Sequence, residues 1–464
     1  MIDVAIVGAG IAGLATAYEL SRRDVGFALL ERAPRAGGVI LSEAIDGFVI
    51  DGGPDALLIQ KPEGIALCEE LGLGGRLVAT KPPRVAYIQR SGRLHPLPAA
   101  SVLGIPTRFG PFLRTQLFSW PGKIRMGAEL FVPPSKQDAD ESIGSFMTRR
   151  FGREATTYLA EPLLAGIHAG DVNRLSIRAL FPRFVEAERR YGSLLRAFNR
   201  PAPAPGGHPP RPSDRAEGAF KSLPGGLSEM VQALVAALPS GSTCLNTDVI
   251  AIDGQGPFRV ERASGPPLEA RALVLATPAY VTSALTRGLD PDLSRACGAI
   301  NYASAATVAL AFRREAVAHP LTGSGFVVPR VERTGIMAAS WLSSKWPHRS
   351  PDDDHVLLRT FLGGARDPQA LELSDAELVA RSMAALTPLL GISGAPLFTR
   401  IFRWPRANAQ HEVGHLDRVA AIERSVGQHP GLFLTGSGLR GTGIPDCVAD
   451  GRATARQVCQ WLAA

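Results

Sequence analysis

The chain opens on a nearly continuous apolar run, Ile2 to Val7, of the length and density that a strand buried on both faces requires. It leads directly into Gly8-Ala9-Gly10-Ile11-Ala12-Gly13 and a stretch of helical spacing that reaches about Arg22. A second run, Gly26 to Leu30, ends in Glu31-Arg32, and a third ends in Asp51-Gly52-Gly53-Pro54. Further strands are predicted around Tyr87, over Cys244 to Ile252, and over Ala272 to Ala276 ahead of Thr277-Pro278. The last is Leu432 to Gly436, followed by a glycine-rich turn and a helix from Ile444-Pro445-Asp446 to Leu462. The 49 glycines and 37 prolines fall between the apolar runs, which predicts many short turns. No run approaches the ~18 apolar residues of a membrane span, and the first residues read as a strand, not as a secretory signal.

Length and charge refine this pattern. A chain of 464 residues exceeds one simple core, so two or three domains are expected. The five cysteines lack CxxC or any regular spacing, which argues against a disulfide framework and fits a reducing compartment. No metal site is expected among the nine histidines. The formal charge of +7 is local: eight basic residues lie between Arg84 and Lys136 against one acid, Glu129, and the rest of the chain balances. Such a segment predicts a cationic surface facing an anionic partner.

The N-terminal motif has a physical job for each glycine. Gly8 makes the tight turn, Gly10 lets a pyrophosphate approach the backbone, and Gly13 lets helix and strand pack closely. Ala9, Ile11 and Ala12 supply the helix N-terminus that faces the phosphates, and Glu31 stands where ribose hydroxyls are bound. Two more glycine pairs, Gly37-Gly38 before Val39 and Gly52-Gly53 before Pro54-Asp55-Ala56, follow soon after the acid. Both suit a long cofactor running close to backbone. This double-glycine pattern resembles the amine-oxidase-like FAD superfamily. The resemblance implies non-covalent FAD, since no Ser-Gly-Gly-Cys precedes the last helix. It also places Val249 under the adenine, and Arg32, Val39, Asp55, Ala56 and Trp404 around the cofactor. Gly436, Thr442, Gly443, Ile444 and Asp446 would close the site at the flavin.

Four stretches narrow the resemblance to the oxygen-dependent, FAD-containing protoporphyrinogen oxidase family. They are the N-terminal fingerprint; Arg84-Val-Ala-Tyr-Ile with Gly92-Arg93-Leu94-His95-Pro96; the blocks from Asp140 through Gly166-Ile167-His168-Ala169-Gly170-Asp171 to Phe181-Pro182; and Gly443-Ile444-Pro445-Asp446-Cys447. The implied fold is α/β (α+β overall): a Rossmann-like FAD-binding domain of discontinuous segments, a mixed-sheet substrate domain and a helical membrane-binding insertion. The expected boundaries are 1–80, 218–284 and 415–464 for the FAD domain, 81–92 and 285–414 for the substrate domain, 93–198 for the insertion and 199–217 for a Pro-rich loop. In the insertion, Leu103, Ile105, Phe109, Phe112, Leu113, Leu117, Phe118 and Trp120 interleave with Arg108, Arg114 and Lys123, the composition of an interfacial surface.

The family chemistry is six-electron oxidation of protoporphyrinogen IX by FAD, with three O2 giving three H2O2. Arg84 matches the arginine that holds a substrate propionate, as a guanidinium suits a carboxylate. Gly166 matches the position whose carbonyl faces the pyrrole N–H groups. Gly325, Phe326, Val327, Phe361 and Leu362 would form apolar walls. The family's Trp, then Ile-Pro-Gln-Tyr and Gly-His, becomes Trp404, then Asn408-Ala409-Gln410-His411 and Gly414-His415, which alters the pocket's shape. The resemblance further implies a cytoplasmic enzyme attached peripherally to the cytoplasmic membrane, and is compatible with hand-off of product to a ferrochelatase and with a homodimer. Nucleic acid is not expected as a partner. The alternatives are a soluble coproporphyrinogen III oxidase, an amine or polyamine oxidase of the same fold, and a non-enzymatic tetrapyrrole carrier with a structural FAD.

Overall fold

The computed structural model describes residues 1–97, 101–102, 105–106, 109–135, 139–199 and 218–464, with the backbone alone at 101–102, 105–106 and 109–111. Leu103, Arg108, Lys136 and the Pro-rich insert 201–212 therefore lie outside the described residues, as do the side chains of Ile105 and Phe109.

The run Ile2–Val7 is the central strand of a largely parallel sheet. Phe27–Leu30 lies on one side of it and Leu268–Leu275 on the other; Thr243–Cys244 extends one flank and Leu432–Leu434 pairs with Leu268–Leu275. Antiparallel strands Val249–Asp253 and Phe258–Arg262 finish the sheet. Period-two alternation sends Val4 and Ile6 to one face, against the helices Ile11–Ser21 and Ile444–Ala463. Ala5 and Val7 go to the other face, with Leu285, Leu293 and Ile422. Both faces are covered, which is why this strand reads as unbroken apolar sequence.

A second sheet of seven strands runs in the order Phe398–Ala409, Tyr302–Arg313, His355–Gly363, Ala338–Trp341, Gly325–Val327, Ala86–Arg90, Arg93–Pro96. It is mixed, because Gly325–Val327 runs parallel to Ala86–Arg90 while the other pairs are antiparallel. The helices between 109 and 199 enclose a separate core that includes Phe112, Leu117, Phe118, Phe146, Phe151 and Leu159.

Three of the eight cations in the basic segment are turned inward, while Arg84, Arg93 and Arg114 are exposed. Arg90 pairs with Glu154 at 2.6 Å and bonds to the Leu117 carbonyl. Lys123 is buried and donates to the Leu113 carbonyl at 2.8 Å, and Arg125 caps the Arg149 and Arg150 carbonyls at the end of the helix Ile143–Phe151. These cations spend their charge inside the protein. Phe112, Leu117 and Phe118 are likewise core, while Leu113, Trp120, Ile124 and Phe131 are at least half exposed. Among the described residues no helix is long and apolar enough to cross a membrane.

Candidate flavin and substrate site

The turn after the first strand is built against its own backbone. A Cβ at Gly13 would stand 1.9 Å from the Gly8 carbonyl oxygen, so only glycine lets the helix sit this close to the strand end. A Cβ at Gly10, by contrast, would meet nothing within 4 Å. Space therefore lies in front of the helix N-terminus, where the backbone N–H groups and the positive dipole end favour phosphate. Glu31 accepts from the Ala9 N–H at 2.8 Å and the Ala33 N–H at 2.9 Å, which fixes its carboxylate beside the same turn with further lone pairs to offer. Gly37 donates to the Ala9 carbonyl at 2.8 Å and draws the Gly37-Gly38 segment alongside. A Cβ at Gly53 would lie 1.9 Å from the Val39 carbonyl oxygen, so the Gly52-Gly53 pair crosses that segment at backbone contact. The cradle fits a dinucleotide that continues past the pyrophosphate.

The second, mixed sheet grips this cradle. Thr307 donates to the Gly52 carbonyl at 2.8 Å and Trp404 Nε1 to the same oxygen at 2.9 Å; Arg359 donates to the carbonyls of Asp51 and Gly53. Asp55 spends its carboxylate on Lys345 at 2.6 Å, Trp346 Nε1 at 2.8 Å and Arg359 at 3.0 Å, so its side chain is a structural anchor. Burial alone would raise the Asp55 pKa, but Lys345 and Arg359 outweigh it and hold the carboxyl well below the usual range. Val249 lies in the core of the nucleotide sheet, on the strand Val249–Asp253.

On the far side, the turn from Thr435 to Gly443 is held by two acids of the last helix. Asp450 accepts from Thr435 Oγ1 at 2.7 Å and from the Gly436 N–H at 2.9 Å, and Asp446 accepts from the Gly443 N–H at 3.2 Å and pairs with Lys61 at 2.6 Å. Asp450 and Lys61 were not foreseen; the one signal was an acid a single helical turn beyond Asp446. Three histidines pack behind this turn. His411 and His415 stack at 3.9 Å and face the carbonyls of Ser437 and Leu439, while His168 Nδ1 lies 3.3 Å from Thr442 Oγ1. Burial pushes His168 and His411 down to about 4, so both rings stay neutral at physiological pH.

His168 ends the helix that carries Gly166. Pro162 has no N–H to donate, and the helix accommodates it with a π turn at Thr156–Ala160 before the segment Glu161–His168. Ala169 then stops the helix in the left-handed region, φ +50°, and its carbonyl accepts from the Ala365 N–H at 2.7 Å. That stop leaves Gly166 exposed, with its carbonyl accepting no hydrogen bond among the described residues. Val327 is the side chain nearest to it, while its helix neighbours Ala165 and Ala169 turn into a small buried cluster with Ala303, Met337 and Phe361. Strand alternation corrects two of the expected walls: Phe326 and Leu362 point the opposite way, into the core beneath the sheet. Gly325 is buried, packed against the Ala339 carbonyl. Arg84 is exposed and donates through Nε to Thr80. It precedes the strand Ala86–Arg90, whose Ile88 is the partner of Val327, so roughly 13 Å of strand separates it from the Gly166 wall.

Known proteins share this arrangement. The family model for flavin containing amine oxidoreductases matches residues 11–459. The coproporphyrinogen III oxidase of Bacillus subtilis is 32% identical over 99% of this chain and 98% of its own length. The chloroplastic protoporphyrinogen oxidase of Nicotiana tabacum is 28% identical over 99% of this chain and 86% of its own. A solved structure from Exiguobacterium sp. 255-15, provisionally named a protoporphyrinogen oxidase, superposes with a TM-score of 0.86 at 31% identity, covering 100% of this chain and 99% of that one. Reduced UDP-galactopyranose mutase, at 15% identity and a TM-score of 0.74, covers 99% of this chain and 96% of its own and shares the fold alone. With the dinucleotide cradle in place, the chain belongs to the flavin containing amine oxidoreductases and, among them, to the FAD-dependent protoporphyrinogen and coproporphyrinogen oxidases of porphyrin biosynthesis.

Proposed function

We propose that the chain oxidises protoporphyrinogen IX to protoporphyrin IX at the end of the helix Glu161–His168. The observation that carries this reading is the exposed Gly166 beside Val327, whose carbonyl accepts no hydrogen bond among the described residues. Such an apolar surface with a free acceptor suits a flat macrocycle with few charges. FAD, when bound, accepts hydride and passes the electrons to O2, giving H2O2. The Gly166 carbonyl, at the negative end of its helix, orients the pyrrole N–H groups and stabilises positive charge as hydride leaves. Arg84 meets a propionate at the edge of the sheet and contributes binding. The apolar walls exclude water from the reacting edge.

A second reading, coproporphyrinogen III oxidation to coproporphyrin III, is favoured by the names of the bacterial relatives. Its four propionates would require further cations at the mouth besides Arg84, and Arg330 lies exposed beside the helix Glu161–His168. Anaerobic mixing of the FAD-loaded protein with each porphyrinogen decides between them. Bleaching at ~450 nm is expected with both, at least about tenfold faster with protoporphyrinogen, a difference of about 1.4 kcal/mol in barrier. A faster reaction with coproporphyrinogen would reverse the order, and bleaching with neither would sink both readings.

The exposed side chains Leu113, Trp120, Ile124 and Phe131 support a peripheral contact with the cytoplasmic membrane. With Arg90, Lys123 and Arg125 engaged inside the protein and Arg114 exposed beside Leu113, this contact is expected to be hydrophobic more than electrostatic. Vesicle binding should change less than about twofold between low and physiological salt, and a Trp120→Ser/Ile124→Ser variant should lose it. Absence of binding by the wild type would argue for a soluble enzyme.

A further inference from the structure

His168 stands between the two halves of the site, two residues beyond Gly166 on one helix and across from Thr442 on the turn that closes the flavin cradle. Its carbonyl accepts from Gln410 Nε2 at 3.0 Å, which anchors the residue. In the tautomer whose Nδ1–H donates to Thr442 Oγ1, the lone pair on Nε2 has no protein partner among the described residues. The other charged or titratable groups around the ring are Lys61 ahead of the helix Glu63–Glu70, Asp446 on the last helix, and His411 after the long strand Phe398–Ala409. Lys61 and Asp446 are tied to each other at 2.6 Å, and His411 is neutral, so none competes for that lone pair.

We propose that His168 Nε2 takes up the proton that leaves the porphyrinogen with each hydride, an assignment that rests on the porphyrinogen-oxidase reading above. In each two-electron step a meso C–H bond breaks and its electron pair leaves with the hydrogen as hydride for oxidised flavin. A second bond to hydrogen, at a pyrrole nitrogen or another meso carbon, then breaks. Its electrons form the new double bond, and its proton goes to Nε2, giving imidazolium. Reoxidation by O2 consumes one proton for each H2O2 formed, so the imidazolium returns what it took. A weak base suffices, because loss of hydride leaves the macrocycle cationic and its N–H acidic. Burial, which keeps the ring neutral down to about pH 4, makes the base available throughout the working range. The adjacent negative helix end favours the transient imidazolium.

Stopped-flow reduction of the FAD-loaded protein by protoporphyrinogen and coproporphyrinogen, between about pH 5.5 and 9, tests this. The wild-type rate is expected to be flat with pH. In His168→Gln it falls about 10²–10⁴-fold, rises with pH and is partly restored by added imidazole. Thr442→Val, which releases the tautomer, gives a smaller loss. FAD content and protoporphyrin affinity stay unchanged in His168→Gln, and an imidazole resonance titrating near pH 4 disappears in it. A wild-type rate in His168→Gln, or a loss of FAD or product affinity that accounts for the defect, overturns the assignment alone. No bleaching of the wild type by either porphyrinogen overturns the underlying reading and the assignment with it.

Discussion

Gly13→Ala is expected to destroy the nucleotide-binding fold, whereas Gly10→Ala keeps the fold and loses the cofactor. The two glycines are three residues apart in one motif, and the packing separates them. A methyl at Gly13 would be forced to 1.9 Å from the Gly8 carbonyl oxygen and 3.1 Å from Ala276 Cβ, with rigid backbone on the near side. Overpacking of this kind costs about 1–3 kcal/mol even where neighbours can move, and here the oxygen cannot. At Gly10 the backbone is extended, φ −68° and ψ 176°, a conformation open to any residue, and the methyl would point into empty space. Apoprotein stability should therefore change by no more than about 0.5 kcal/mol. The same methyl would occupy the space into which the pyrophosphate must come. At about 1–3 kcal/mol of overpacking, FAD affinity falls on the order of 10–100-fold. Thermal unfolding of the apoproteins alongside fluorescence titration with FAD checks both halves. Unchanged FAD affinity in Gly10→Ala would mean that the cofactor does not pass this turn.

The contrast between the glycines shows what the sequence makes legible. Strand, turn, helix, strand and acid follow one another within the first 31 residues, so local pattern suffices to read them. Gly166 stands out for the same reason, as part of a contiguous block. The misplaced features depend on partners far along the chain. Phe326 and Leu362 face away from the pocket because of strand register, which a one-residue shift would invert. The cationic segment reads as a surface until Arg90 finds Glu154, 64 residues on, and Arg125 finds the carbonyls of another helix. His168 gains its setting only when Thr442, 274 residues away, closes over it. Such pairings leave no periodic trace.

The longest-range of these pairings with a large energetic consequence is that of Asp55, and Asp55→Ala is expected to cost about 3–5 kcal/mol of stability. Its carboxylate lies between Lys345 and Arg359, some 290 and 304 residues distant, and accepts a third bond from Trp346. Side-chain exposure is 13% or less for the aspartate and for both cations, so water cannot replace the lost anion. Removing it leaves two positive charges facing each other in a poorly solvated site. Arg359 also donates to the Asp51 and Gly53 carbonyls, so its displacement loosens the loop that crosses the cofactor path. FAD affinity should fall together with stability, which would not happen on breaking a surface pair. The pH dependence provides an independent check. Because the folded carboxyl is held below its unfolded value, the stabilisation is complete above about pH 4 and fades only as pH falls below it. The difference between wild type and Asp55→Asn in urea unfolding should therefore be constant from about pH 5 to 9 and shrink in stronger acid. A difference that instead disappeared near neutrality would show that the cations, not the carboxylate, change charge in this cluster.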